Sequence, residues 1–252
     1  MRRVLILGGT GEAVAIARML HDEMADRVEA ISALAGVTQS RAPIPGTVRI
    51  GGFGGVDGLA AYIQAERIDV LIDATHPFAA QMAAQVHAAA ERTGTPRLKI
   101  IRPMWRRDPR DRWIEIPDLA AAAATIPRIQ ARRVFLTVGG RSLQAFQDMA
   151  DVWFLARMTD APPSPPPLAN ADYVVARGPF NTDAEIALMR THTIDLLIAK
   201  ASGGAATEAK IEAARALDIL TVIIRRPPAP QGDVVADAEG ALVWLKRLLA
   251  DW

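Results

Sequence analysis

Strand-like and helix-like segments alternate almost from end to end of this 252-residue chain. Val4–Leu7, Val28–Ala33, Val48–Ile50, Ile68–Ile72 and Leu98–Ile101 read as strands, with helical stretches at Glu12–Asp22, Gly58–Glu66 and Phe78–Thr93 between them. Val4–Leu7 is apolar at every position, the pattern of a strand covered on both faces. Alternation of this kind predicts parallel sheets with helices on both sides, an α/β fold.

The pattern then restarts. Val134–Val138 ends in Gly139-Gly140, as Val4–Leu7 ends in Gly8-Gly9. Val152–Ala156 and Tyr173–Ala176 read as strands, and Ile194–Ile198 echoes Ile68–Ile72. Ile219–Ile224 runs into Arg225-Arg226-Pro227 much as Leu98–Ile101 runs into Arg102-Pro103, and a helix over Ala238–Leu249 closes the chain. Two similar halves are therefore expected, residues 1–126 and 127–252, hinged between Ile114 and Arg132. The proline-rich run Ala161–Leu168 lies inside the second half and reads as a stiff surface loop.

Composition narrows the function classes. Half of the residues are hydrophobic and 23% are charged, ordinary for a globular chain. A net charge of +1 supplies no global field for nucleic acid or an anionic membrane. The absence of cysteine excludes disulfides, thiolate catalysis and cysteine-ligated metal, and the four histidines are too scattered for a paired ligand spacing, so no metal site is expected. No apolar segment reaches the roughly 20 residues that span a bilayer, and the N-terminus lacks a signal-peptide pattern. A soluble, cytoplasmic protein is the expectation.

Two stretches carry chemistry. Gly8-Gly9-Thr10-Gly11-Glu12-Ala13 follows the first strand and opens the first helix, where glycines let the backbone approach a pyrophosphate. The spacing departs from G-x-G-x-x-G, with Val14 in the third position, so a plain βα turn is the competing reading. The second strand ends without the acid that grips the ribose of NAD. Ser32 and, beyond it, Arg41 suit a 2′-phosphate instead, with a solvated loop arginine as the alternative. The other stretch is Asp73-Ala74-Thr75-His76-Pro77-Phe78, which places an acid, a hydroxyl and a histidine at a strand end. Pro77 fits a first helical turn, and Thr75 or His76 is either a helix cap or a ligand contact.

Taken in order, these two stretches, Gly51-Gly52-Phe53-Gly54-Gly55, Arg102-Pro103-Met104-Trp105, Gly178-Pro179-Phe180 with Glu185, and Lys200-Ala201-Ser202-Gly203-Gly204 with Lys210 resemble the precorrin-6A reductases of cobalamin biosynthesis. Ala201 departs from the asparagine expected in many relatives. The resemblance implies two Rossmann-like domains with a cleft between them, an N-terminal NADPH-binding one and a C-terminal one that completes the substrate site. It also implies NADPH-dependent reduction of one double bond of a tetrapyrrole macrocycle, with neighbouring pathway enzymes as partners. The cofactor contacts expected are Gly9, Thr10, Gly11, Glu12, Ala13, Ser32, Arg41, Gly52, Phe53, Thr75, Ser202 and Gly203, and the catalytic pair His76 and Lys200. Arg102, Arg106, Arg141, Arg177, Lys200 and Arg225 offer cations for the substrate's carboxylates, and Trp105 offers a face for its ring. A short-chain reductase is disfavoured, since neither Tyr62 nor Tyr173 has a lysine four residues on. A non-catalytic NADP-binding sensor is the remaining alternative.

Overall fold

The computed structural model describes residues 1–35 and 43–250. The chain divides into two compact units, Met1–Arg102 with Pro227–Trp252, and Pro103–Arg226.

The first unit is a six-stranded parallel sheet. Its strands are β1 (Arg2–Leu7), β2 (Val28–Leu34), β3 (Thr47–Ile50), β4 (Val70–Asp73) and β5 (Arg97–Ile100), joined by a late strand, Asp233–Val235, in the order Asp233–Val235, β5, β4, β1, β2, β3. Helices α1 (Gly11–Met24), α2 (Gly55–Ala65) and α3 (Ala80–Thr93) connect them. The apolar runs are buried on both faces because alternate side chains feed different cores. Val4, Ile6, Val70 and Ile72 pack with Ile16 and Leu20 of α1, and with Ala241 and Leu245 of the C-terminal helix. Leu5, Leu7 and Leu71 pack on the other face with Leu59 and Ile63 of α2 and with Val86 and Ala89 of α3.

The second unit repeats this plan. It holds β6 (Trp113–Ile116), α4 (Leu119–Arg128), β7 (Arg133–Thr137), β8 (Trp153–Met158), β9 (Ala171–Val175), α5 (Thr182–Thr191), β10 (Leu196–Lys200), α6 (Ala209–Ala216) and β11 (Leu220–Ile224). All strands are parallel, in the order β6, β11, β10, β7, β8, β9. The proline-rich run lies between β8 and β9, mostly exposed but anchored by buried Leu168.

Two features correct the expected halves. The division does not fall at 126/127. Trp113–Ile116 already pairs with β11 of the second unit. The chain beyond Pro227 returns to the first, where β12 (Asp233–Val235) pairs with β5 and α7 (Ala238–Ala250) packs beside α1. The second correction concerns Pro77. α3 begins at Ala80, so Pro77 stands in the turn before the helix and not in its first turn.

Candidate functional site

In each sheet the strand order reverses at one inner strand. β1 lies between β2 and β4, and β7 lies between β8 and β10. Ligands of open parallel sheets gather beyond the carboxyl ends of the strands at such points. In the first unit that position is occupied by Gly8–Thr10 and by Ala74–His76.

The two segments are locked together. Ala74 N–H donates to the Leu7 carbonyl at 2.9 Å, and the Thr10 hydroxyl donates to the Ala74 carbonyl at 2.8 Å. Thr10 also caps α1, its Oγ1 accepting from Ala13 N–H at 3.2 Å. Gly8 has φ +128°, and a Cβ there would lie 2.5 Å from the Ala74 carbonyl oxygen, so the turn requires glycine. Gly11 is different: a Cβ there would meet nothing within 4 Å. The first turn of α1 thus presents its N–H groups beside open space, which suits a diphosphate. At the end of β2, Ser32 is 2% exposed and its hydroxyl has no hydrogen-bond partner among the described residues. An orphan hydroxyl at this strand end is suited to a polar group of a ligand. Arg41 lies outside the described residues.

The loop after β3 is held by Arg49. Its guanidinium donates to the carbonyls of Gly51 and Gly52 at 2.6 and 2.9 Å and stacks 3.9 Å from the centre of the Phe53 ring. Gly58 permits this shape, because a Cβ there would run into the Phe53 carbonyl.

Asp73 is the centre of a buried network. Its Oδ1 accepts from Thr75 N–H at 3.0 Å, from the Thr75 hydroxyl at 2.7 Å and from Lys99 Nζ at 2.9 Å. Lys99 also donates to the Thr75 carbonyl at 3.1 Å and to Thr75 Oγ1 at 2.9 Å. Burial holds the Lys99 ammonium below the ordinary lysine range, with the Asp73 charge opposing that fall. Lys99 escaped the sequence reading, although a lone lysine within Leu98–Ile100, beside a strand ending in Asp73, was its signal. His76 Nδ1 accepts from Phe78 N–H at 3.2 Å and so holds the turn, but neither Thr75 nor His76 caps α3, whose N-cap position is Ala79. Arg102, which follows β5, pairs with Glu12 of α1 at 3.3 Å. Glu12, Ala74, Thr75, Pro77, Ile100 and Arg102 line one recess.

In the second unit, Lys200 ends β10 and donates to Ser142 Oγ at 2.8 Å. Ser142 belongs to the 3₁₀ turn Gly140–Phe146 that follows β7, so this contact sits where the strand order reverses. Burial lowers the Lys200 pKa. Ser202 and Gly203 form the next turn, clamped by Arg226, which donates to the carbonyls of Ala201 and Ser202 at 2.5 and 2.9 Å. Gly203 has φ +63°, and a Cβ there would run into the Pro103 carbonyl oxygen and the Arg226 guanidinium, so both backbone conformation and packing require glycine. Trp105 is 4% exposed, its Nε1–H donating to the Gly204 carbonyl at 3.1 Å and its ring facing Lys210 Nζ at 4.7 Å. That overturns its expected place against a substrate ring: the indole is part of the scaffold. Glu185 likewise serves the scaffold, in a buried bidentate pair with Arg157, whose guanidinium stacks on Phe180. Arg106, Arg141 and Arg225 are exposed and make no ion pair among the described residues, while Arg177 pairs with Asp160 at 3.2 Å.

The site residues therefore fall into two sets. Gly9, Thr10, Gly11, Glu12, Ala13, Ser32, Gly52, Phe53, Thr75 and His76 stand at the carboxyl edge of the first sheet, and Lys200, Ser202 and Gly203 at that of the second. Among the described residues no cluster of His, Cys, Asp and Glu could hold a metal ion, and no helix is long and apolar enough to cross a membrane.

Comparison with known proteins agrees along nearly the whole chain. A protein of Rhodococcus erythropolis named precorrin-6A reductase is 48% identical over 250 residues, covering 98% of this chain and 99% of its own. One of the same name from Rhodobacter capsulatus is 44% identical over 245 residues, covering 97% and 96%. A solved structure titled CobK precorrin-6A reductase superposes with a TM-score of 0.91 at 43% identity, covering 98% of this chain and 97% of that one. The family described as "Precorrin-6x reductase CbiJ/CobK" matches residues 3–246, and the chain belongs to that family.

Proposed function

We propose that this chain is an NADPH-dependent oxidoreductase that reduces one double bond of the precorrin-6A macrocycle to give its dihydro form. The family match over residues 3–246 carries this reading. The glycine turn supports the cofactor half of it. Gly8 closes the turn onto Ala74, Thr10 caps the helix, and the open face at Gly11 receives the diphosphate. The acid-free end of β2 and the unpartnered Ser32 hydroxyl favour a 2′-phosphate, hence NADPH over NADH.

When bound, the cofactor supplies a hydride, and one proton completes the reduction. The chain's own residues place the reactants. Glu12 holds Arg102 beside the first turn of α1. Thr75 and His76 flank the nicotinamide side, beyond β4. In the second unit, exposed Arg106, Arg141 and Arg225 meet the acetate and propionate groups of the macrocycle, for which guanidinium is well shaped. Lys200 Nζ, oriented by Ser142 Oγ, anchors a carboxylate or polarises the reducing system.

The deciding assay mixes the purified protein with NADPH and precorrin-6A. Loss of NADPH absorbance matched by a product heavier by two hydrogens is expected. Tight NADPH binding with no reduction would replace this reading with a cofactor sensor.

A further inference from the structure

We infer that Lys99 is a positioning residue for cofactor binding, acting through the Asp73–Thr75 turn on the seat of the glycine loop. The inference rests on the cofactor's placement at that loop.

Lys99 is 3% exposed and Asp73 is fully buried, so neither is a surface charge that happens to pair. The ammonium has three N–H donors. Asp73 Oδ1, Thr75 Oγ1 and the Thr75 carbonyl take one each, at 2.9, 2.9 and 3.1 Å. Thr75 is thereby fixed at both its side chain and its backbone. Ala74, which precedes it, is the contact point of the glycine loop. Its N–H is bonded to Leu7, its carbonyl receives the Thr10 hydroxyl, and that same carbonyl leaves no room for a Cβ at Gly8. A change in the turn at 74–75 must displace Thr10, and Thr10 sets the first turn of α1. Lys99 thus reaches the glycine loop through Thr75, Ala74 and Thr10, in succession. A buried ion pair could instead be there only for the fold, but an apolar pair would serve that purpose as well or better. The three donors converging on the single turn Asp73–Thr75 are what a positioning role requires.

Removing the lysine alone strands the Asp73 charge, so the double variant Asp73→Asn/Lys99→Met accompanies Lys99→Met. Thr75→Val removes only the hydroxyl, and Gly11→Asp tests the cofactor's placement independently. NADPH titration is read together with thermal unfolding and steady-state kinetics. In folded Lys99→Met and in the double variant, NADPH affinity should fall on the order of tenfold, the KM for NADPH rising more than kcat falls. Lys99→Met combined with Thr75→Val should lose little more than either alone, since both act through one turn. Unchanged NADPH affinity in a folded lysine variant, with Gly11→Asp abolishing binding, would make Lys99 a structural residue only. Unchanged affinity in Gly11→Asp would remove the cofactor from the loop, and this inference with it.

Discussion

Lys200 is half-buried at the end of β10 and Lys99 is buried within β5, and the two stand in different electrostatic settings. Lys99 faces a carboxylate, whereas Lys200 donates to the hydroxyl of Ser142. Burial lowers the Lys200 pKa in the folded protein, while the unfolded chain keeps the ordinary value of about 10.4. Below the folded pKa both states are protonated and the folded state bears the full cost of burying the charge. That cost is relieved as pH rises through the folded pKa toward the unfolded one. Wild-type protein should therefore gain stability relative to Lys200→Met over this alkaline window, as read from paired denaturant titrations at increasing pH. A difference that stays constant with pH would mean that the ammonium is not desolvated. The sequence singled out Lys200 by its place before Ala201-Ser202-Gly203-Gly204, but it could not show which group each lysine meets. That distinction depends on Asp73 and Ser142, brought close only by the sheet. Trp105 shows the same limit: an aromatic at a strand end reads alike whether it meets a ligand or, as here, fills the scaffold against Lys210.

The turn joining β1 to α1 contains glycines with opposite duties. Gly8 has φ +128° and a forbidden Cβ position against Ala74, whereas Gly11 opens onto empty space. Gly8→Ala should therefore lose roughly 1–3 kcal/mol of stability through backbone strain, with the contact to Ala74 adding to it. Gly11→Asp should fold as well as the parent, since an acid in the first helical turn suits the helix dipole, and yet lose NADPH through charge repulsion. Denaturant midpoints and NADPH titration of the two variants check this contrast, which would collapse if Gly11→Asp also unfolded or Gly8→Ala proved neutral. The sequence showed that a glycine turn stood here, because strand, glycines and helix follow one another directly. It did not show which glycine the backbone requires and which is open, since that depends on Ala74, some 60 residues away. Longer elements were legible for a simple reason. Val4, Leu5, Ile6 and Leu7 are all buried, and no loop tolerates four such residues in succession. β12 was missed because Asp233–Val235 is three residues long with one residue half-buried and the others exposed.

Across the whole chain, the repeat read in the sequence corresponds to two sheets of like strand order, but the chain does not divide where the repeat suggests. Edge strands have weak local signatures, and their sheet is chosen by long-range pairing: β6 with β11, and β12 with β5. The C-terminal segment thus completes the unit that carries the glycine turn, with Ala241 and Leu245 fully buried in its core. The central claim is that the chain transfers hydride from NADPH to the precorrin-6A macrocycle. It is tested most directly with NADPH carrying deuterium in the transferable position at C4 of the nicotinamide. A single turnover with precorrin-6A should move the label onto the macrocycle, giving a product with one deuterium from the cofactor and one hydrogen from solvent. Recovery of all the label on the cofactor, with precorrin-6A unchanged, would contradict the account.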